Sequence, residues 1–246
     1  MEYFAYSIAG IINIMHSPPR YMLLLILLLC PIPAKSADSA ENPHKPVILL
    51  TGFEPFGGAA INESWETVKQ FQGKDISGYH VETALLPVVY DDMAKPLEEA
   101  IARHKPEVVI SFGVGSSVIQ VEILAHNGYN PAKPLDNKGN APPRLEIAPH
   151  AAAQLFTSLP TPAILAALSA EKIAARASND AGGYLCNECF YRLMLLPGPS
   201  VRGFVHVPPF GTKDPNGGVF DAERLTRAIR IVVETTLHAK QVSPGK

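Results

Sequence analysis

The chain of 246 residues contains only three cysteines and one tryptophan, and charged residues make up 18% of it. Three cysteines are too few for a small scaffold held together by several disulfides. A formal net charge of −2 is not that of a nucleic-acid-binding protein, which needs a concentrated basic surface, so no nucleic-acid partner is expected. No apolar run reaches the roughly 20 residues of a transmembrane helix, so no stable membrane span is expected.

The residues that are present predict one α/β domain. A hydrophobic content of 47% is enough for a real core. Segments of strand and helix character alternate: strands are predicted at 46–53, 79–90, 106–113, 117–127, 174–180 and 202–209, and helices at 61–73, 91–105, 162–173, 185–196 and 221–240. This alternation predicts a mostly parallel sheet between layers of helices, with a long loop region at 128–160. Sites in such sheets collect at the carboxyl ends of the strands.

The first 36 residues have the pattern of a secretory signal peptide. Arg20 precedes a run of about nine apolar residues, and Ala34-Lys35-Ser36 has the small residues of a cleavage site. We predict a signal peptide at 1–36, a flexible leader at 37–45 and a polar tail at 241–246. The predicted location is therefore exported, periplasmic or secreted, with a signal anchor in the membrane as the alternative.

Cys186 is the strongest candidate for chemistry. It follows a small-residue turn and opens a predicted helix, where backbone N–H groups and the helix dipole favour a thiolate and could hold an oxyanion. His206 and Glu122 each interrupt an apolar strand and need a partner when buried. A Cys, a His and a carboxylate fit a nucleophile, a base and an orienting group. A redox pair with Cys189, a Glu122–His126 metal pair and a core histidine remain alternatives.

Two glycine-rich turns follow predicted strands. "TGFEPFGG" lacks the Gly-Lys-Ser/Thr ending of a phosphate loop, and its Phe53 and Phe56 suit an apolar wall for a small flat ligand as well as a structural turn. "GVGSS" at 113–117 lacks the spacing of a dinucleotide fingerprint or a nucleophile elbow, although its backbone N–H groups could bind a carbonyl. Neither turn indicates a cofactor.

Four stretches together resemble the pyroglutamyl peptidase I family of cysteine peptidases: "TGFEPFGG…INESW", "VEILAHN", "SNDAGGYLCNECFY" and "GFVHVP". The resemblance covers roughly residues 46–240. It implies an α/β/α sandwich with a twisted central sheet, no metal or cofactor, and removal of N-terminal pyroglutamate (5-oxoproline) from small peptides with a blocked N-terminus. An amidase for another small N-terminal or lactam group, a non-catalytic 5-oxoproline- or peptide-binding protein, and a homo-oligomer stay open.

The resemblance also implies site residues. Cys186 matches the nucleophile, His206 the general base and Glu122 the residue that orients the histidine. The implied substrate-binding residues are Phe53, Phe56, Asn62 and Tyr184. Two loops depart from the family pattern. The family usually has a "GQAGGR"-like loop before the glutamate, whereas "GVGSSVIQVE" is about two residues shorter and lacks the Gln and the Arg of that loop. The stretch "GYNPAKPLDN" has one extra residue and lacks another arginine. Both departures bear on which substrate is bound.

Overall fold

The computed structural model describes residues 45–115 and 117–242. The predicted signal peptide, the leader as far as residue 44 and residues 243–246 of the predicted tail lie outside the described residues. Residues 241 and 242 of the predicted tail lie in the last helix. Within the described ranges, no helix is both long and apolar enough to cross a membrane.

The described elements follow the predicted alternation. The strands are β1 (Val47–Phe53), β2 (Asp75–Ile76), β3 (Tyr79–Leu86), β4 (Val108–Val114), β5 (Ile119–Glu122), β6 (Leu124–His126), β7 (Gln154–Phe156), β8 (Ala175–Ser178), β9 (Val201–Val207), β10 (Thr212–Lys213) and β11 (Val219–Phe220). The helices are α1 (Glu63–Val68), α2 (Ala94–His104), α3 (Thr161–Ala170), α4 (Leu185–Leu195) and α5 (Ala222–Val242). Helix α1 is shorter than predicted, because a 3₁₀ turn takes over at Lys69–Phe71.

Seven strands form the central sheet in the order β2-β3-β1-β4-β9-β5-β8. Strand β1 runs parallel to β3 and β4, β4 runs parallel to β9, and β5 runs parallel to β8. Strand β5 is antiparallel to β9, and β2 is antiparallel to β3. The predicted mostly parallel sheet is therefore confirmed, with a reversal of direction at β5.

Helices cover both faces of this sheet. Side chains of α1, α3 and α5, among them Val68, Leu168 and Ile229, pack into one buried apolar cluster. Side chains of α2 and α4, among them Leu97 and Phe190, pack into a second cluster on the other face. Because the central strands are covered on both faces, their sequences are near-continuous apolar runs. This is why these strands could be recognised from the sequence. The α/β/α arrangement of a single domain is confirmed.

The predicted strand at 117–127 is wrong as one element. It breaks at Ile123: β5 stays in the central sheet, whereas β6 leaves it and pairs antiparallel with β7. His126 consequently lies in a different sheet from Glu122. Its Nε2 lies 2.8 Å from the carbonyl oxygen of Asn179, so the alternative Glu122–His126 metal pair is wrong. In the described ranges, no group of three or more His, Cys, Asp or Glu side chains could hold a metal ion.

Candidate active site

Cys186, His206 and Glu122 come together from three different elements. Cys186 is the second residue of α4, His206 lies near the carboxyl end of β9, and Glu122 ends β5. In the β5–β9 register Glu122 lies opposite Phe204, two residues from His206, so the two side chains point to the same face of the sheet. The Nδ1 atom of His206 is 2.8 Å from Oε1 of Glu122.

The His206–Glu122 pair is shielded from solvent. Glu122 is fully buried and His206 is 6% exposed. Within the described residues, the second carboxylate oxygen of Glu122 has no hydrogen-bond partner, which leaves His206 as the group that compensates its charge. Burial lowers the pKa of His206, but the adjacent Cys186 and the bonded Glu122 raise it more, to about 10 from an ordinary 6.5. The direction of this shift favours the imidazolium form of the ring at neutral pH.

Helix α4 carries Cys186 and has free backbone N–H groups at its start. Its first backbone bond runs from the N–H of Glu188 to the carbonyl of Tyr184, at 3.0 Å. The N–H groups of Leu185, Cys186 and Asn187 thus have no intrahelical acceptor, as at any helix start. These donors and the positive end of the helix dipole lie at the end of α4 that carries Cys186, where they can stabilise an anion.

Two glycines leave room for the reactive side chains. A Cβ atom on Gly113 would lie 2.8 Å from the sulfur of Cys186, and one on Gly115 would lie 2.9 Å from Cδ2 of His206. Such distances are shorter than van der Waals contact between these atoms. The "GVGSS" turn therefore has a role that the sequence analysis missed: at these two positions it lets Cys186 and His206 approach the end of β4.

All four predicted substrate-binding residues line one cleft with Cys186. Its walls are Phe53, Phe56, Asn62, Tyr184 and Cys186, with Val88, Val114 and Leu185, which the sequence analysis did not single out. The rings of Phe56 and Tyr184 are 6.4 Å apart, centre to centre. The walls are therefore mainly apolar, and none of these side chains is an Asp, Glu, Lys or Arg.

Asn62 shapes the cleft through bonds within the protein. Its Oδ1 accepts hydrogen bonds from the backbone N–H and the hydroxyl of Ser64, at 3.1 and 2.6 Å, and so caps α1. Its Nδ2 donates to the carbonyl of Glu54 at 3.0 Å. The side chain thereby joins the start of α1 to the turn that carries Phe56.

Hydrogen bonds tie the loops around the cleft to one another. Oε1 of Glu54 accepts from the backbone N–H of Val88 and from Nδ2 of Asn137, both at 2.9 Å. The hydroxyl of Tyr184 donates to the carbonyl of Leu135 at 3.1 Å. Neither Glu54 nor Asn137 was predicted as a positioning residue. The only signal for Glu54 was an acidic residue inside an otherwise apolar turn.

The two described cysteines are both free thiols. Cys189 is fully buried in the apolar cluster beneath α4, and burial raises the pKa of its thiol. Because disulfide exchange needs a thiolate and access, this environment does not favour a redox pair with Cys186.

Comparison with known proteins places this chain in a family. A family model for pyroglutamyl peptidase matches residues 46–238. Pyrrolidone-carboxylate peptidase 1 of Photorhabdus laumondii is 38% identical over 204 residues, covering 77% of this chain and 92% of the relative. The Bacillus licheniformis pyrrolidone-carboxylate peptidase is 36% identical, covering 79% and 94%.

Solved structures agree with these sequence matches. The crystal structure of pyroglutamyl peptidase I from Bacillus amyloliquefaciens has a TM-score of 0.72 at 32% identity, covering 78% of this chain and 95% of that one. A mutant pyrrolidone carboxyl peptidase from Pyrococcus furiosus has a TM-score of 0.72 at 30% identity, covering 78% and 99%. The chain belongs to the pyroglutamyl peptidase family.

Proposed function

We propose that this chain is a cysteine peptidase that removes N-terminal pyroglutamate from peptides. One observation carries the proposal: Cys186, beside the bonded His206–Glu122 pair, opens into a small apolar cleft walled by Phe53 and Phe56. The names of the curated relatives and solved neighbours support the same reaction.

The cleft explains why a pyroglutamyl group would be selected. Pyroglutamate is a neutral lactam, whereas an ordinary N-terminus carries an ammonium group. The walls of the cleft contain no acidic side chain to pair with that ammonium, so burying it there would be costly. The lactam ring instead can pack its flat apolar surface against Phe53, Phe56 and Tyr184, while its amide forms hydrogen bonds with backbone groups.

In the first chemical step, the thiolate of Cys186 attacks the carbonyl carbon of the bond that follows the lactam ring. A C–S bond forms and the carbonyl oxygen becomes an oxyanion, which the N–H groups at the start of α4 stabilise. His206, as an imidazolium held by Glu122 at Nδ1, donates its Nε2 proton to the leaving nitrogen. The C–N bond breaks, and a peptide with a free amino terminus departs.

In the second step, water hydrolyses the thioester. The neutral His206 takes a proton from the water, which attacks the carbonyl carbon and forms a second oxyanion. Collapse of this second oxyanion breaks the C–S bond and releases 5-oxoproline. The thiolate of Cys186 and the imidazolium of His206 are thereby restored. Glu122 takes no proton in either step. Its role is to hold the ring with Nε2 toward the sulfur and to stabilise the imidazolium.

Hydrolysis of pyroglutamyl-7-amido-4-methylcoumarin tests this proposal. The protein should release the coumarin, and Cys186→Ala should abolish release while keeping the fold, because the deletion removes only one half-exposed sulfur. Cys189→Ser is the matched control, since that cysteine is buried away from the cleft. Unchanged hydrolysis by Cys186→Ala, or no hydrolysis by the unsubstituted protein, would contradict the proposal.

Export of the protein is a separate proposal. The apolar run after Arg20 and the small residues at 34–36 support it. We infer that the peptidase domain acts outside the cytoplasm on peptides that carry a pyroglutamyl end.

A further inference from the structure

A second groove adjoins the apolar cleft. It shares Phe56, Tyr184 and Cys186 with the cleft, but it is also lined by His206. In the proposed reaction, the lactam ring fills the cleft and His206 protonates the leaving nitrogen. The groove that contains His206 is therefore the space that receives the first residue of the leaving peptide.

Lys133 and Asp180 are the charged side chains that line this groove besides His206. Asp180 is exposed, and its Oδ1 accepts the backbone N–H of Gly182 at 2.8 Å. Lys133 is half-buried, and its Nζ lies 3.7 Å from where a Cβ of Gly182 would be.

The charge of Lys133 is available to a ligand. The described lysines with a carboxylate partner are Lys45, Lys69, Lys138 and Lys240, so Lys133 lacks one within the described part of the chain. An ammonium beside a groove with a partly apolar lining attracts a carboxylate more strongly than one in open water.

We propose that Lys133 binds a carboxylate on the leaving group next to the scissile bond. This inference rests on the proposed function. Two sources carry that chemistry: the C-terminal carboxylate of a pyroglutamyl dipeptide, and the side chain of an acidic residue that follows pyroglutamate. Lys133 thus sets a preference for an anionic leaving group, and Asp180 opposes it from the same groove.

Paired substrates that differ in one charge test the inference. Pyroglutamyl-alanine against pyroglutamyl-alaninamide tests the C-terminal carboxylate. Pyroglutamyl-glutamic acid α-amide against pyroglutamyl-glutamine α-amide tests the side chain. The measured quantity is the ratio of kcat/KM within each pair, which cancels general effects of a substitution. We expect the acid to be preferred about fivefold in at least one pair at low salt, and less at high salt.

Substitutions at Lys133 and Asp180 then test whether these two side chains cause the preference. Lys133→Met should bring the preferred ratio close to one, Lys133→Arg should retain it, and Asp180→Asn should increase it. Loss of preference in one pair alone identifies the source of the carboxylate and supports the inference. Ratios that Lys133→Met leaves unchanged overturn the inference, while cleavage of the coumarin substrate by the unsubstituted protein keeps the proposed function intact. Failure to cleave the coumarin substrate would overturn both.

Discussion

Gly115→Ala should reduce catalysis far more than stability. The added Cβ would lie 2.9 Å from Cδ2 and 3.2 Å from Nε2 of His206. Ordinary contacts between such atoms are about 3.5 Å or longer, so the ring must retreat by about 0.5 Å. It cannot do so freely, because Glu122 holds Nδ1 at 2.8 Å and the ring of Phe204 lies 5.0 Å away, centre to centre.

The size of the effect follows from this displacement. A misplacement of about 1 Å in a catalytic group costs about 100-fold in rate, so a shift of about half that size should lower kcat/KM by about 10-fold or more. Gly115 itself is exposed and outside the strands, and its backbone is not left-handed. The loss of folding free energy should therefore be about 1 kcal/mol or less.

The assay is kcat/KM on the coumarin substrate beside the melting temperature of each variant. Gly128→Ala is the matched control, because its Cβ would meet only the carbonyl oxygen of Leu145, at an ordinary 3.7 Å. Gly128→Ala should keep both quantities near those of the unsubstituted protein. If Gly115→Ala also kept its full kcat/KM, the absence of a side chain at Gly115 would not be what lets His206 take its catalytic position.

Further predictions concern the other site groups and the leader. Glu122→Gln should lower kcat/KM by about 10- to 100-fold, less than Cys186→Ala, because it removes a charge but keeps an acceptor for Nδ1; a loss of only a few fold would make Glu122 merely structural. In Cys186→Ala the pKa of His206, followed by NMR of labelled histidine, should fall below about 10, since Cys186 is one of the groups that raise it; an unchanged titration would contradict this. In the unsubstituted protein, the raised pKa adds stability that is fully present below pH 6.5 and is lost as pH rises through about 10, and kcat should fall over the same alkaline limb. Cys189→Ser should lose and regain activity under mild oxidant and reductant as the unsubstituted protein does, because Cys189 is buried; resistance in the variant would instead indicate a redox latch. N-terminal sequencing should find residues 1–36 absent from the mature protein, and an intact Met1 in a cytosolic protein would exclude export.

Elements with strong local patterns were predictable from the sequence. The apolar runs of β1, β4 and β9 identified the central strands, and the small-residue turn before Cys186 marked the start of α4. The resemblance implied seven site residues. Five of them line one cleft in the structure, and the other two, His206 and Glu122, form the hydrogen-bonded pair beside Cys186.

Features that depend on pairing between distant segments were not predictable. Apolar alternation through 117–127 does not reveal that the hydrogen-bonding partner changes at Ile123 from the central sheet to β7. The two-residue strands β2, β10 and β11 carry too little pattern to detect. Likewise, the bonds of Glu54 to Val88 and Asn137 join loops whose proximity only the fold creates.

In the proposed mechanism, the position of β9 in the sheet determines when during folding the enzyme can become active. Glu122 and His206 are separated by 84 residues in the chain. Strand β9 lies between β4 and β5 in the sheet, although both of these strands come much earlier in the sequence. Contacts of such long range close slowly, because loop entropy is lost before the contacts compensate for it. Before β9 has docked in the sheet, a nascent chain therefore contains the thiol of Cys186 but has no His206 beside it to act as a base. Peptidase activity then reports that β9 has docked between β4 and β5, and chains that end before β9 should have no partial activity.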